Sequence, residues 1–274
     1  MKRILVPTDF SSQAENALKT AATIAKKTNA EIELLHMLEI PSQMNDAITG
    51  AAGIPEIMHF IKKANEILEE TAQHPCLQDI LVSKHVKFEK ASEGILSFIK
   101  DHNTDLIVMG SKGISGIEEI LIGSNTEKVV RHSDVPVLVV KNNDINFEEP
   151  HIVFASDFAE VIKTPFQKMI DFASIFNAKL SLVTICTPNS FKSTIVARKM
   201  TETFLTSFNL KHYTTHLYND TNVEKGILNF SSEVGADIIA LCTHGRTGLV
   251  HFFTGSISED LVNHAVKPVI SFKI

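Results

Sequence analysis

The chain has 274 residues, 44% hydrophobic and 21% charged, ordinary values for a globular protein that exclude the disordered and fibrous classes. Its formal net charge is −6 and its Lys and Arg are not gathered into a strip, which argues against nucleic acid or an anionic membrane as partner. No apolar run approaches the ~20 residues needed to cross a bilayer, the opening residues lack a signal-peptide pattern, and Cys76, Cys186 and Cys242 are too scattered for a disulfide framework, so a cytoplasmic setting is expected.

In chain order, the apolar residues 4–6 predict a buried strand. Ser12 with Glu15 three positions on predicts a capping box, opening a helix whose Ala14, Leu18, Ala21 and Ala25 share one stripe. A strand over 31–38 and a loop with breakers Pro41, Gly50, Gly53 and Pro55 come next, then a helix over 56–71. Strand 80–88, helix 92–102, strand 105–109, helix 124–132 and strand 136–140 complete the first half. The polar stretch 141–150 reads as a linker. The second half repeats the order, with Thr164, Pro165 and Gln167 as helix cap, first-turn proline and third-position partner.

The chain is a duplication. Arg3-Ile4-Leu5-Val6-Pro7-Thr8-Asp9-Phe10 answers to His151-Ile152-Val153-Phe154-Ala155-Ser156-Asp157-Phe158, so Asp9 and Asp157 correspond at an offset of 148. Further on the offset is 132: Gly94-Ile95-Leu96 matches Gly226-Ile227-Leu228, Gly123-Ser124 matches Gly255-Ser256, and Pro136-Val137 matches Pro268-Val269. The second copy is thus 16 residues shorter, and the loop 41–55 is the candidate for the loss. Strands alternating with helices predict right-handed βαβ units: two tandem doubly wound α/β domains, residues 1–142 and 150–274, with helices on both faces of mostly parallel sheets.

In such sheets ligands bind beyond the carboxyl ends of the strands, near the switch point. Two features fall there: Pro7-Thr8-Asp9 after the first strand, and Gly110-Ser111-Lys112-Gly113 after the fourth, followed by Gly123-Ser124 at a helix start. The glycines allow close backbone approach, and the helix start offers N–H groups and a positive dipole end to a phosphate. Asp9 is placed to accept hydrogen bonds from a sugar hydroxyl or an exocyclic amine. The dinucleotide fingerprint is missing from the first turn, and no Walker A loop occurs.

Gly110-x-x-Gly113, nine residues, then Gly123-Ser124, together with Asp9, resembles the ATP-binding pattern of universal stress proteins, and both halves of the chain are similar to that family's domain. The resemblance implies a five-stranded parallel sheet of order 3-2-1-4-5 and bound ATP or AMP, with or without Mg2+. It implies that Pro7, Thr8 and Asp9 face the adenosine and Met37 the adenine, while Met109, Gly110, Lys112, Gly113, Gly123, Ser124, Asn125 and Thr126 line the ribose and phosphates. The corresponding second site would use Ser156, Asp157, Ile185, Cys242, His244, Gly245, Gly255, Ser256, Ile257 and Ser258. There Cys242 replaces Gly110 and Ala155 replaces Pro7, and a sulfur at position 242 is expected to crowd a ligand. In the family the last strands pair across a dimer axis, so the duplication implies an internal pseudo-dimer, open to further homodimer formation.

Other constellations have plainer readings. Cys186, Cys242 and His244 suggest a metal or redox site, but free cysteines are commonly small buried groups. His212 and His216 are expected on one face of a strand. No catalytic residues are expected, since no set of metal carboxylate, phosphate lysine and water-orienting group is present. The expected function is a nucleotide-binding stress-response module acting on a protein partner. The alternatives are an interaction module with empty or non-nucleotide pockets and, by fold analogy, a slow ATP hydrolase.

Overall fold

The computed structural model describes residues 1–39, 54–111, 123–141, 145–243 and 261–274. The first half runs β1 (Arg3–Pro7), α1 (Ser12–Thr28), β2 (Glu31–Met37), α2 (Ile54–Ala72), β3 (Val82–Lys87), α3 (Ala91–His102), β4 (Leu106–Gly110), α4 (Ser124–His132) and β5 (Val137–Val140). The second runs β6 (His151–Ala155), α5 (Lys163–Ile175), β7 (Lys179–Cys186), α6 (Thr194–Leu205), β8 (Tyr213–Asn219), α7 (Val223–Glu233), β9 (Ile238–Thr243) and β10 (Val269–Lys273).

The strands form one ten-stranded sheet of order β3-β2-β1-β4-β5-β10-β9-β6-β7-β8. Each half keeps the parallel order 3-2-1-4-5, and the halves meet where β5 and β10 pair antiparallel, with Leu138 opposite Ile270. The edge strand of each half thus covers that of the other, which removes two exposed edges at once.

Strand alternation sorts the core into two faces. Ile4, Val6, Leu34 and Val108 point to a first face beneath α1 and α2, continuous with Phe154, Phe166 and Phe204 beneath α5 and α6. Leu5, Leu35, Ile107 and Met109 point to a second face beneath α3 and α4, continuous with Ile227 and Phe230 of α7. The two halves therefore share both core layers. Phe147, in the stretch expected to be a polar linker, is buried in the first layer with its ring 5.0 Å from that of Phe176.

The seam is braced symmetrically. Lys273 Nζ, at the end of β10, donates to Asp134 Oδ1 at 2.7 Å and to the His132 carbonyl at the end of α4. Lys141 Nζ, just past β5, donates to the Asn263 carbonyl at 2.7 Å. Lys273 thereby meets the carbonyl end of α4, where a cation is favoured.

Three local expectations are corrected. Ser11, not Ser12, caps α1, accepting the Ala14 N–H, while Glu15 pairs instead with Lys19 and His74. Thr164 caps nothing: α5 begins at Lys163 straight out of a 3-10 turn over Glu160–Ile162, and Gln167 donates to Asp171. His212 has φ 55° and precedes β8, so it shares no strand face with His216, which bonds Thr214 and packs on Phe230.

Candidate functional site

A cavity of about 420 Å³ opens beyond the carboxyl ends of β1, β2 and β4. Its wall brings together Pro7, Thr8, Asp9, Met37, Met109, Gly110, Gly123, Ser124, Asn125 and Thr126. Lys112 and Gly113 lie outside the described residues. Ala14, Leu35, Ala91 and Ile95 also line it and were not singled out from the sequence. Leu35 and Ile95 belong to the second core layer, so their pattern in the sequence is that of core residues; the cavity is where that layer runs out.

One end is apolar, built from Leu35, Met37, Ala91, Ile95 and Met109. Met37 reaches this place because α3 carries Gly94 beside it: a Cβ there would run into Met37 Cε. Gly226 of α7 stands in the same relation to Ile185. The repeated Gly-Ile-Leu is thus a packing requirement of the cavity wall rather than a turn.

The other end is polar. Gly123 precedes α4 with extended backbone and makes no side-chain cap. Helix geometry leaves the N–H groups of Ser124, Asn125 and Thr126 without intrahelical acceptors, at the positive end of the dipole. Thr126 Oγ1 donates to the Gly110 carbonyl at 3.0 Å, and the Gly123 N–H donates to the Ser111 carbonyl at 2.8 Å, which together fasten the start of α4 to the end of β4.

The turn after β1 joins the two ends. Thr8 Oγ1 accepts the Phe10 N–H at 3.0 Å and Asp9 Oδ1 accepts the Ser11 N–H at 3.1 Å. These bonds hold Phe10 at φ 65°, a left-handed conformation that costs a non-glycine residue roughly 1–2 kcal/mol. Asp9 therefore shapes the turn as well as facing the cavity. His36 Nδ1 lies 2.8 Å from the Thr8 carbonyl, with its ring stacked on Phe10.

The second half repeats this turn. Ser156 Oγ accepts the Phe158 N–H, Asp157 Oδ1 accepts the Ala159 N–H, and Phe158 has φ 54°. His244, Gly245, Gly255, Ser256, Ile257 and Ser258 lie outside the described residues. Cys242 is described, and it departs from the expectation. A Cβ at Gly110 would sit 2.9 Å from the backbone of Gln13 in the first turn of α1, so a side chain there points under the helix and not into the cavity. Cys242 does so, packing in the first core layer with Phe158 and Ile162. Burial, reinforced by the nearby Asp157 charge, pushes its thiol pKa far up and keeps it a neutral thiol. With that Cβ present, the segment answering to the first turn of α1 is the 3-10 turn, and Val161 is 46% exposed.

Among the described residues no group of three or more His, Cys, Asp or Glu is placed to share a metal ion. Among them, no helix is long and apolar enough to cross a membrane.

The chain was compared with known proteins. A model of the universal stress protein family matches residues 1–141 and 150–273. A universal stress protein of Bacillus subtilis is 31% identical over 147 residues, covering 51% of this chain and 98% of its own. One of Methanocaldococcus jannaschii is 34% identical over 156 residues, covering 52% and 96%. The crystal structure of a universal stress protein from Archaeoglobus fulgidus superposes with a TM-score of 0.76 at 23% identity, over 99% of this chain and 98% of that one, a likeness of fold.

Proposed function

This chain belongs to the universal stress protein family, as a tandem pair of its domains, and we propose that its first half binds an adenine nucleotide, ATP or AMP, with or without Mg2+, as a regulatory signal in the stress response. The observation that carries this reading is the two-ended cavity. An apolar slot of Leu35, Met37, Ile95 and Met109 suits a flat base, and the exposed N–H groups at the start of α4 suit phosphates. Asp9 lines the same cavity and would accept from a ribose hydroxyl or an exocyclic amine. Lys112 and Gly113 enter the proposal through the motif alone.

The mechanism would be one of ordering. A nucleotide spanning the cavity would tie the turn after β1 to the start of α4, whose far end is held by Lys273 of the second half. Occupancy in one half would then bear on the seam between halves and on the surface shown to a protein partner. We place the nucleotide in the first half, because the second carries Cys242 and the 3-10 turn in place of the glycine and the α-helical first turn.

The test is thermal and urea unfolding of the ligand-stripped chain with ATP, AMP or GTP. Adenine nucleotide at a hundred times its Kd should stabilise the chain by about 2.7 kcal/mol. Midpoints unmoved by millimolar ATP and AMP would refute the proposal.

A further inference from the structure

Across β1 from the nucleotide cavity lies a second cavity, of about 260 Å³, between α1 and α2. The two share only the wall formed by Thr8 and Ala14. Its interior is apolar, from Val6, Phe10, Leu18, Leu34 and Ile67, and Glu15, Glu70 and His74 stand along one side.

The second half shows what this space looks like when it is packed. By the offset of 148, Val6, Ala14 and Leu18 answer to Phe154, Ile162 and Phe166. At the later offset of 132, Ala72, next to the cavity-lining Thr71, answers to Phe204. Every one of these replacements is larger. All four are buried, and the rings interlock: Phe166 lies 5.1 Å from both Phe154 and Phe204. The fold therefore accepts filling at this place, as close-packed interiors normally require. Among the described residues the first half instead leaves it open, with Phe10 holding one wall by its stack on His36.

The charges select the occupant. Glu15 is already engaged by Lys19 at 2.5 Å and by His74 at 3.6 Å. Glu70 adds a second carboxylate to the wall, so an anionic ligand would meet like charges while an ammonium group would meet an acceptor. We propose that this cavity is a second ligand site, for a small organic amine with an aromatic or branched aliphatic body.

The probe is phenethylamine, with phenylacetate as its anionic counterpart, titrated into the full chain carrying 13C-labelled Ile and Leu methyl groups. Phenethylamine should shift the methyls of Leu18, Leu34 and Ile67 saturably and leave Ile227 and Leu241 of the second half in place, and phenylacetate should bind more weakly. Leu18→Phe with Val6→Phe, which imports the packing of the second half, should abolish the shifts. Glu70→Gln should weaken phenethylamine by about two- to fivefold with the fold intact, since Glu70 is exposed. No saturable shift, equal binding of phenylacetate, or unchanged affinity in Glu70→Gln would overturn the proposal, as would shifts that survive in a folded filled variant. None of these readouts involves a nucleotide, so a failure here leaves the first cavity's assignment standing.

Discussion

The two halves share a sheet order, a turn and a pair of core layers, and among the described residues they differ on one side of their first strands. In the first half α1 starts at Ser12 in full α-helical form over a glycine, and an open cavity separates it from α2. In the second, a buried Cys242 underlies a 3-10 turn, and phenylalanines fill the space between α5 and α6. Neither arrangement changes the strand order, so packing at this place is free to vary while the sheet is kept. The half with Gly110 leaves room between its helices, and the half with Cys242 fills that room.

This contrast can be broken by exchanging residues between the halves. The largest effect is expected from Phe166→Ala, which removes the centre of the ring cluster and should cost about 3–5 kcal/mol in urea unfolding. Leu18→Ala at the matching position should cost less, about 2 kcal/mol, because its site already adjoins an opening. Near-equal losses would contradict the packing difference. Next comes Gly110→Cys, which drives a Cβ against the Gln13 backbone and should cost about 1–3 kcal/mol while weakening ATP binding. A neutral outcome would mean that α1 yields as freely as the turn at Glu160–Ile162.

A third contrast is in pH response. Glu33 is buried on β2, and burial pushes its carboxyl pKa up, an effect moderated by His102 and Arg3. The second half has Ser181 there, within 2.8 Å of His151 Nε2 and 3.3 Å of Thr214 Oγ1. Because the folded-state pKa of Glu33 lies above its unfolded one, the stability it contributes is full at pH below the ordinary carboxylate range and is lost as pH rises through the raised value. Glu33→Gln should therefore gain on the natural chain as pH rises, in urea midpoints taken from about pH 4 to about pH 8. A constant difference across that range would rule out the titration. The smallest effect belongs to the seam: Lys273→Ala, with its partner Asp134 62% exposed, should cost only about 0.3–1 kcal/mol.

The duplication, the alternation of strands and helices, and the place of the cavity were all readable in the residues, because each rests on a local period or on a motif long enough to be specific. Helix starts were not. Ser12 has the glutamate three positions on that Ser11 lacks, yet the tertiary geometry of the Asp9 turn puts the cap at Ser11. Leu35 and Ile95 were hidden because a residue lining a cavity at the edge of a core has the same pattern as one inside it. The direction of Cys242 was within reach: Val108 and position 110 share a strand face, so its first-layer side chain follows from alternation. The lysine braces were out of reach, since they depend on how one half meets the other.

The central claim is that the first half holds an adenine nucleotide between the turn after β1 and the start of α4. Met37 and Met109 line that cavity, while Met169 lies in the core beneath α5 and Met200 on α6. In a chain with 13C-labelled methionine methyls, stripped of ligand and titrated with ATP, Met37 and Met109 should shift saturably while Met169 and Met200 stay in place. Unmoved Met37 and Met109 signals at saturating ATP, or shifts confined to Met169 and Met200, would contradict it.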